Sequence, residues 1–90
     1  MEFVQTLKVT HKYGLHARAS NKFAELAQAF SSDVFLSRPG GEEVDGKSVL
    51  GILTLGMEEG EELILRVHGE DAEMAMPALV DLVKSDFHGV

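Results

Sequence analysis

The apolar residues of this chain change their period several times, and each change dictates a different backbone. Phe3, Leu7 and Val9 lie on one side of a period-two pattern interrupted by Gln5, which predicts a half-buried strand over residues 3–10. From Ala17 to Phe30 the apolar positions Ala19, Phe23, Leu26, Ala27 and Phe30 recur every three or four residues, so one face of a helix is apolar. Ser31, Ser32 and Asp33 stop it. Val34 and Leu36 return to alternation, and Pro39, Gly40 and Gly41 supply the turn of a hairpin into a short Glu42 to Asp45 segment. Ser48 offers a capping oxygen ahead of Val49, Leu50, Ile52 and Leu53, predicting a short helix. Leu63, Leu65 and Val67 alternate with Ile64 and Arg66 as a further strand. Asp71 is the expected cap of a last helix with Ala72, Ala75, Leu79, Leu82 and Val83 on one face, in which Pro77 predicts a kink or a later start.

The expected order is therefore βαββαβα. Strands with one polar face suit an antiparallel sheet that helices cover on one side. The fold class is α+β, an open-faced two-layer sandwich of a four-stranded antiparallel sheet with three helices on one face. Ninety residues hold one such core, so residues 1–90 are read as a single domain.

Composition narrows the function. Without cysteine, disulfide scaffolds, thiolate metal sites and thiol catalysis are excluded, and a cytoplasmic location is expected. The N-terminal MEFVQTLKVT is no export signal, and no run of about 18 apolar residues signals membrane insertion. Eight basic against fifteen acidic residues, a net charge of −7 with no basic cluster, disfavour nucleic acid. Glu42, Glu43, Glu58, Glu59, Glu61 and Glu62 sit in turns and read as solvated surface rather than as an acid–base pair. His11, His68 and His88 lack metal-ligand spacing and read as surface or strand-end residues; no metal and no cofactor is expected.

The chemistry concentrates in GLHARAS, residues 14–20. With the helix starting at Ala17, His16 stands at its boundary, next to amides that have no intrahelical partner. The helix dipole favours an anion there by roughly 0.3 to 1 kcal/mol, and Arg18 can add charge-assisted hydrogen bonds to phosphate oxygens. A neutral imidazole keeps a nucleophilic lone pair, so His16 can carry a phosphoryl group; the plainer alternative is a histidine that only caps the helix.

GLHARAS, followed by the helix and by GKSVLGILTLG, resembles the histidine-containing phosphocarrier (HPr) family of the bacterial phosphotransferase system over nearly the whole chain. The resemblance implies that His16 accepts phosphate from enzyme I and passes it to an enzyme IIA, with Arg18 stabilising it and the backbone amides of Ala17 and Arg18 holding it. It is a relay whose own histidine is the intermediate, rather than a stand-alone catalyst. Ser48 matches the serine that an HPr kinase/phosphorylase modifies in many members, the alternative being a plain N-cap. Val49, Leu50 and Leu53 match an apolar docking patch, the alternative being core.

This sequence departs from the family pattern in three places. Ala19 stands where proline is usual, which implies preserved chemistry on a looser loop; Glu25 and Gln28 replace common lysines or arginines; and the loop from Arg38 to Gly46 is about one residue longer. The charge departures keep a nitrogen-related regulatory branch open beside sugar uptake. A binding module governed by Ser48 phosphorylation is the rival from another class, and a monomer is the expected state.

Overall fold

Leu63, Leu65 and Val67 are all fully buried and mark the inner face of the strand on which the sheet is assembled. The computed structural model describes residues 1–90: β1 (Glu2–Lys8), α1 (Ala17–Gln28), β2 (Asp33–Ser37), β3 (Val44–Asp45), α2 (Val49–Thr54), β4 (Glu62–His68), α3 (Ala72–Lys84) and a last helical segment, α4 (Asp86–Gly89). The sheet order is β1-β4-β2-β3 and every pairing is antiparallel. β4 is central, registered Glu2↔His68 to Lys8↔Glu62 on one side and Asp33↔His68 to Ser37↔Ile64 on the other. Helices cover one face, as the alternation requires, and Phe23, Ala27, Leu79 and Val83 pack with Val34, Leu36 and the inner residues of β4 in one core. Across the open face, Arg66 ties three strands together: its guanidinium bonds Glu43 at 2.7 Å and Glu2 at 2.8 Å and lies 4.3 Å from the Phe35 ring. Hydrogen bonding by Arg66 lowers the Glu43 pKa.

Several boundaries move from their sequence positions. The first strand spans Glu2–Lys8 rather than 3–10, and Val9, although buried, sits in the turn: it donates to Glu61 O at 2.9 Å and accepts from Gly60 N at 2.8 Å. α1 ends at Gln28 rather than Phe30, because the amides of Ala29 and Phe30 reach back only three residues, to Leu26 and Ala27, tightening the last turn. α3 begins at Ala72 and continues through Pro77, so the later start does not occur. Pro77 is exposed, and water can take the carbonyl left free by its missing N–H.

A fourth helical segment joins the three expected. In α4, Asp86, Phe87 and His88 all have left-handed dihedrals, with φ of 53°, 57° and 59°. Such residues cost roughly 1–2 kcal/mol each, and no propensity or periodicity rule foresees three in a row. Tertiary contacts hold the segment: Phe87 is buried, Thr10 Oγ1 donates to the Asp86 carboxylate, and the His88 amide donates to Ser85 Oγ at 3.1 Å.

Asp71 holds the N-cap position of α3, but its carboxylate does not cap that helix. It instead accepts from the amides of Ser31 at 2.8 Å and Ser32 at 2.9 Å and from the Ser32 hydroxyl, joining the end of α1 to the start of α3. These hydrogen bonds, that of the Ser32 hydroxyl foremost, pull its pKa down to about 2. Because an unfolded aspartate titrates near 3.9, the contribution is complete above about pH 4 and is lost as pH falls toward about 2. Asp71→Asn should therefore lower stability at neutral pH and flatten the pH dependence in that window. Urea denaturation at stepped pH reads it, and an unchanged acid slope would remove Asp71 from the role.

Candidate functional site

The site is built from a close approach of two backbones. Gly14 has φ +64°, and a Cβ there would lie 2.1 Å from the carbonyl oxygen of Met57, so only glycine fits on both counts. The next amide, of Leu15, donates to that same oxygen at 3.0 Å, and the Leu15 side chain is buried. The fully buried Ser20 donates its hydroxyl to Leu15 O at 3.1 Å, tying the loop to the helix that follows.

The Met57 platform is itself clamped. Arg38 pairs with Glu61 at 2.7 Å and donates to the carbonyls of Leu55 at 2.5 Å and Gly56 at 3.2 Å, while Glu61 accepts from the Glu58 amide at 2.7 Å. The Arg38 guanidinium, and then the Glu58 amide, hold the Glu61 carboxyl down to about 2. Arg38 thus gives the loop that looked one residue too long a fixed anchor.

His16 is the N-cap of α1, with extended backbone (φ −72°, ψ 178°), and its carbonyl accepts the first helical bond, from Ser20 N at 2.8 Å. Its Nδ1 accepts from the amides of Arg18 at 3.2 Å and Ala19 at 3.5 Å. A backbone amide can only donate, so Nδ1 presents a lone pair and the neutral ring carries its proton on Nε2. The two amides are orphan donors at the positive end of a twelve-residue helix. An anion bonded to Nδ1 would meet both. The Arg18 side chain is exposed, lines the same cleft as His16, and makes no ion pair.

Of the two amides expected to hold a phosphoryl group, Arg18's faces Nδ1 of the free ring, where Ala19's is the second donor and Ala17's makes no hydrogen bond. At the position where proline is usual, Ala19 therefore adds a hydrogen bond that proline lacks.

Ser48 is the N-cap of α2, its Oγ accepting from Gly51 N at 3.0 Å. Val49 is half-buried against the core, Leu50 is 76% exposed and Leu53 37%, while fully buried Ile52 does the packing. α2 rests on α1. Glu25 and Gln28 are exposed on α1, and Gln28 Nε2 bonds Lys47 O at 2.8 Å.

His68 and His88 are exposed, as read from the sequence, but His11 is not simply a surface residue. It is half-buried, with its ring centroid 4.7 Å from that of His16. Tyr13, 68% exposed, sits 6.2 Å from His16 in an edge-on arrangement, with Lys12 Nζ 4.9 Å from its ring. The signal that could have found His11 is Gly14, whose amide bonds His11 O at 2.9 Å and folds residue 11 back toward the helix start.

Comparison with known proteins follows the same lines. Residues 3–85 match the family model described as PTS HPr component phosphorylation site. The chain is 40% identical over 83 residues to the phosphocarrier protein HPr of Neisseria meningitidis, covering 92% of each, and 34% identical over 87 residues to the phosphocarrier protein NPr of Escherichia coli K12, covering 97% of each. A crystal structure of an HPr from Thermoanaerobacter tengcongensis superposes with a TM-score of 0.91 at 36% identity, over 98% of both chains.

Ala19→Pro isolates the extra donor. The third helical position needs no intrahelical amide, so the variant should fold with stability within about 1 kcal/mol of the parent. The ¹⁵N resonance of His16 Nδ1 should move on loss of one hydrogen bond. An unshifted resonance would mean that the 3.5 Å contact does not bind the ring.

Proposed function

This chain belongs to the HPr family of phosphocarrier proteins of the phosphotransferase system, and from that premise we propose that His16 is its phosphoryl carrier and Arg18 the side chain that steadies the transferred group. The observation that carries the assignment is Nδ1 of His16 held with its lone pair toward the amides of Arg18 and Ala19. In the first step the Nδ1 lone pair attacks phosphorus on phosphorylated enzyme I in line with the bond that breaks. A P–N bond to His16 forms, and the donor keeps the electron pair of the old bond. The second step is the same exchange toward an enzyme IIA, so water takes no part and one phosphoryl group changes hands twice. Such transfers need positioning and charge stabilisation more than covalent help. The two amides would turn from the ring lone pair to phosphoryl oxygens, joined by the Arg18 guanidinium.

Exposed Leu50 and Leu53, on a helix that rests on α1, support α2 as the apolar part of the surface presented to enzyme I and enzyme IIA, with Val49 contributing mostly to packing. Ser48, adjacent to them and half-buried, is the serine proposed for an HPr kinase/phosphorylase; phosphate there would add about −1.5 to −2 charge beside the docking residues. Greater identity to HPr than to NPr favours sugar uptake over the nitrogen-related branch. No helix is long and apolar enough to cross a membrane, and we place the carrier in the cytoplasm, working as a monomer.

Intact-mass measurement after mixing with enzyme I, phosphoenolpyruvate and magnesium should show one acid-labile phosphoryl group, absent in His16→Ala. Arg18→Ala should slow transfer about tenfold, the equivalent of roughly 1.4 kcal/mol of lost charge-assisted bonding. Retained phosphorylation in His16→Ala would overturn the assignment. Separately, Ser48→Ala should cost about 1 kcal/mol in thermal or urea unfolding through loss of its cap, whether or not a kinase exists.

A further inference from the structure

One ring nitrogen of the proposed carrier is exposed to chemistry, and the other is shut away. Nε2 of His16 is buried and has no hydrogen-bond partner, an arrangement that costs about 1–3 kcal/mol for an ordinary polar group and that a freely rotating ring would escape by turning to water. Something must hold the ring against that escape. The amides of Arg18 and Ala19 hold one edge, and the half-buried ring of His11 stands at 4.7 Å, tilted by 55°.

His11 is itself immobilised at both nitrogens. Its Nδ1 accepts from the Tyr13 amide at 3.1 Å, and its Nε2 donates to the main-chain oxygen of Val90. An amide only donates and a main-chain oxygen only accepts, so one neutral tautomer in one orientation satisfies both bonds. Both nitrogens of the His11 ring are therefore tied to the main chain. Behind it lies Phe87 at 6.5 Å, buried in the left-handed α4 segment, which Thr10 secures through Asp86. The strained turn thus delivers Val90 to His11, and pinned His11 stands beside His16.

We propose that His11, anchored by Val90 and Tyr13, is a positioning residue that shields Nε2 of His16 and leaves Nδ1 as the one nitrogen a phosphorus centre can reach. This rests on His16 being the carrier, and it adds the device that selects the nitrogen. It also assigns a purpose to three consecutive left-handed residues, whose strain is tolerated where the surrounding structure fixes them.

The test uses potassium phosphoramidate, a small donor that phosphorylates imidazole without enzyme I, with ³¹P and ¹⁵N NMR to identify the substituted nitrogen. At His16 the parent protein should yield the Nδ1 adduct alone, whatever adducts the exposed His68 and His88 form. His11→Ala, with dispersed amide spectra showing that it folds, should yield both adducts. Asp86→Ala, which releases the α4 segment and with it the Val90 anchor of His11 while substituting neither histidine, should also yield Nε2 adduct, and it serves if His11→Ala does not fold. A merely structural role for His11 would lower the melting temperature without changing which nitrogen reacts. Exclusive Nδ1 product in either folded variant would overturn the proposal. Failure of the carrier reading would look different: the parent protein would gain no phosphoryl group on His16 from enzyme I and phosphoenolpyruvate, whatever the phosphoramidate products.

Discussion

The contact between the backbone at Gly14 and the carbonyl of Met57 is the constraint on which the rest of the site depends. Any side chain at residue 14 would collide with that oxygen, and any other direction for the Leu15 amide would leave it unpaired in a buried position. Once this seam is closed, His16 has one place to go, the cap of α1. The platform side is equally determined, because Arg38 and Glu61 grip both ends of the turn that carries Met57. An ion pair as exposed as this contributes little stability by itself. Its value here is geometric: Arg38 reaches two carbonyls at the end of α2, and Glu61 reaches an amide at the start of the next turn.

What the sequence disclosed and what it concealed divide along physical lines. Period-two patterns located β1, β2 and β4 and period-3.6 patterns α1 and α3, because burial on one face leaves that trace in residue type, whereas turn residues and the Ser48 cap located β3 and α2; Leu63, Leu65 and Val67 are the clearest case. The N-caps His16 and Ser48 were legible because capping is a local interaction read from neighbours in sequence. Asp71 shows the limit of that logic. It occupies the expected cap position, yet its carboxylate serves residues forty positions away, and no local rule can weigh a distant partner. The left-handed α4 segment and the placement of His11 were hidden for the same reason, since both are set by contacts between the two ends of the chain.

The residues proposed for docking show a second kind of ambiguity. Within the apolar run Val49 to Leu53, spacing alone cannot say which side chains face the core, because a helix of six residues makes too few turns to display a pattern. The structure divides them: Ile52 is fully buried, Val49 packs partly, and Leu50 stands in solvent. A large aliphatic side chain left that exposed on a short helix contributes nothing to the core, which is the physical ground for reading it as a contact surface.

The capping role of His16 bears directly on how such a carrier can be loaded and unloaded without refolding. A helix start with its donors unmet loses on the order of 1 kcal/mol. In the free protein the Nδ1 lone pair meets two of them. A phosphoryl group on Nδ1 removes that lone pair but brings anionic oxygens to the same place, and charged acceptors bind amides about twice as strongly as neutral ones. With His16 as the proposed carrier, the cap would therefore be exchanged rather than broken, and α1 would need no rearrangement when the group arrives or leaves. Both states would then share one scaffold, so partners on either side of the proposed transfer would meet the same surface.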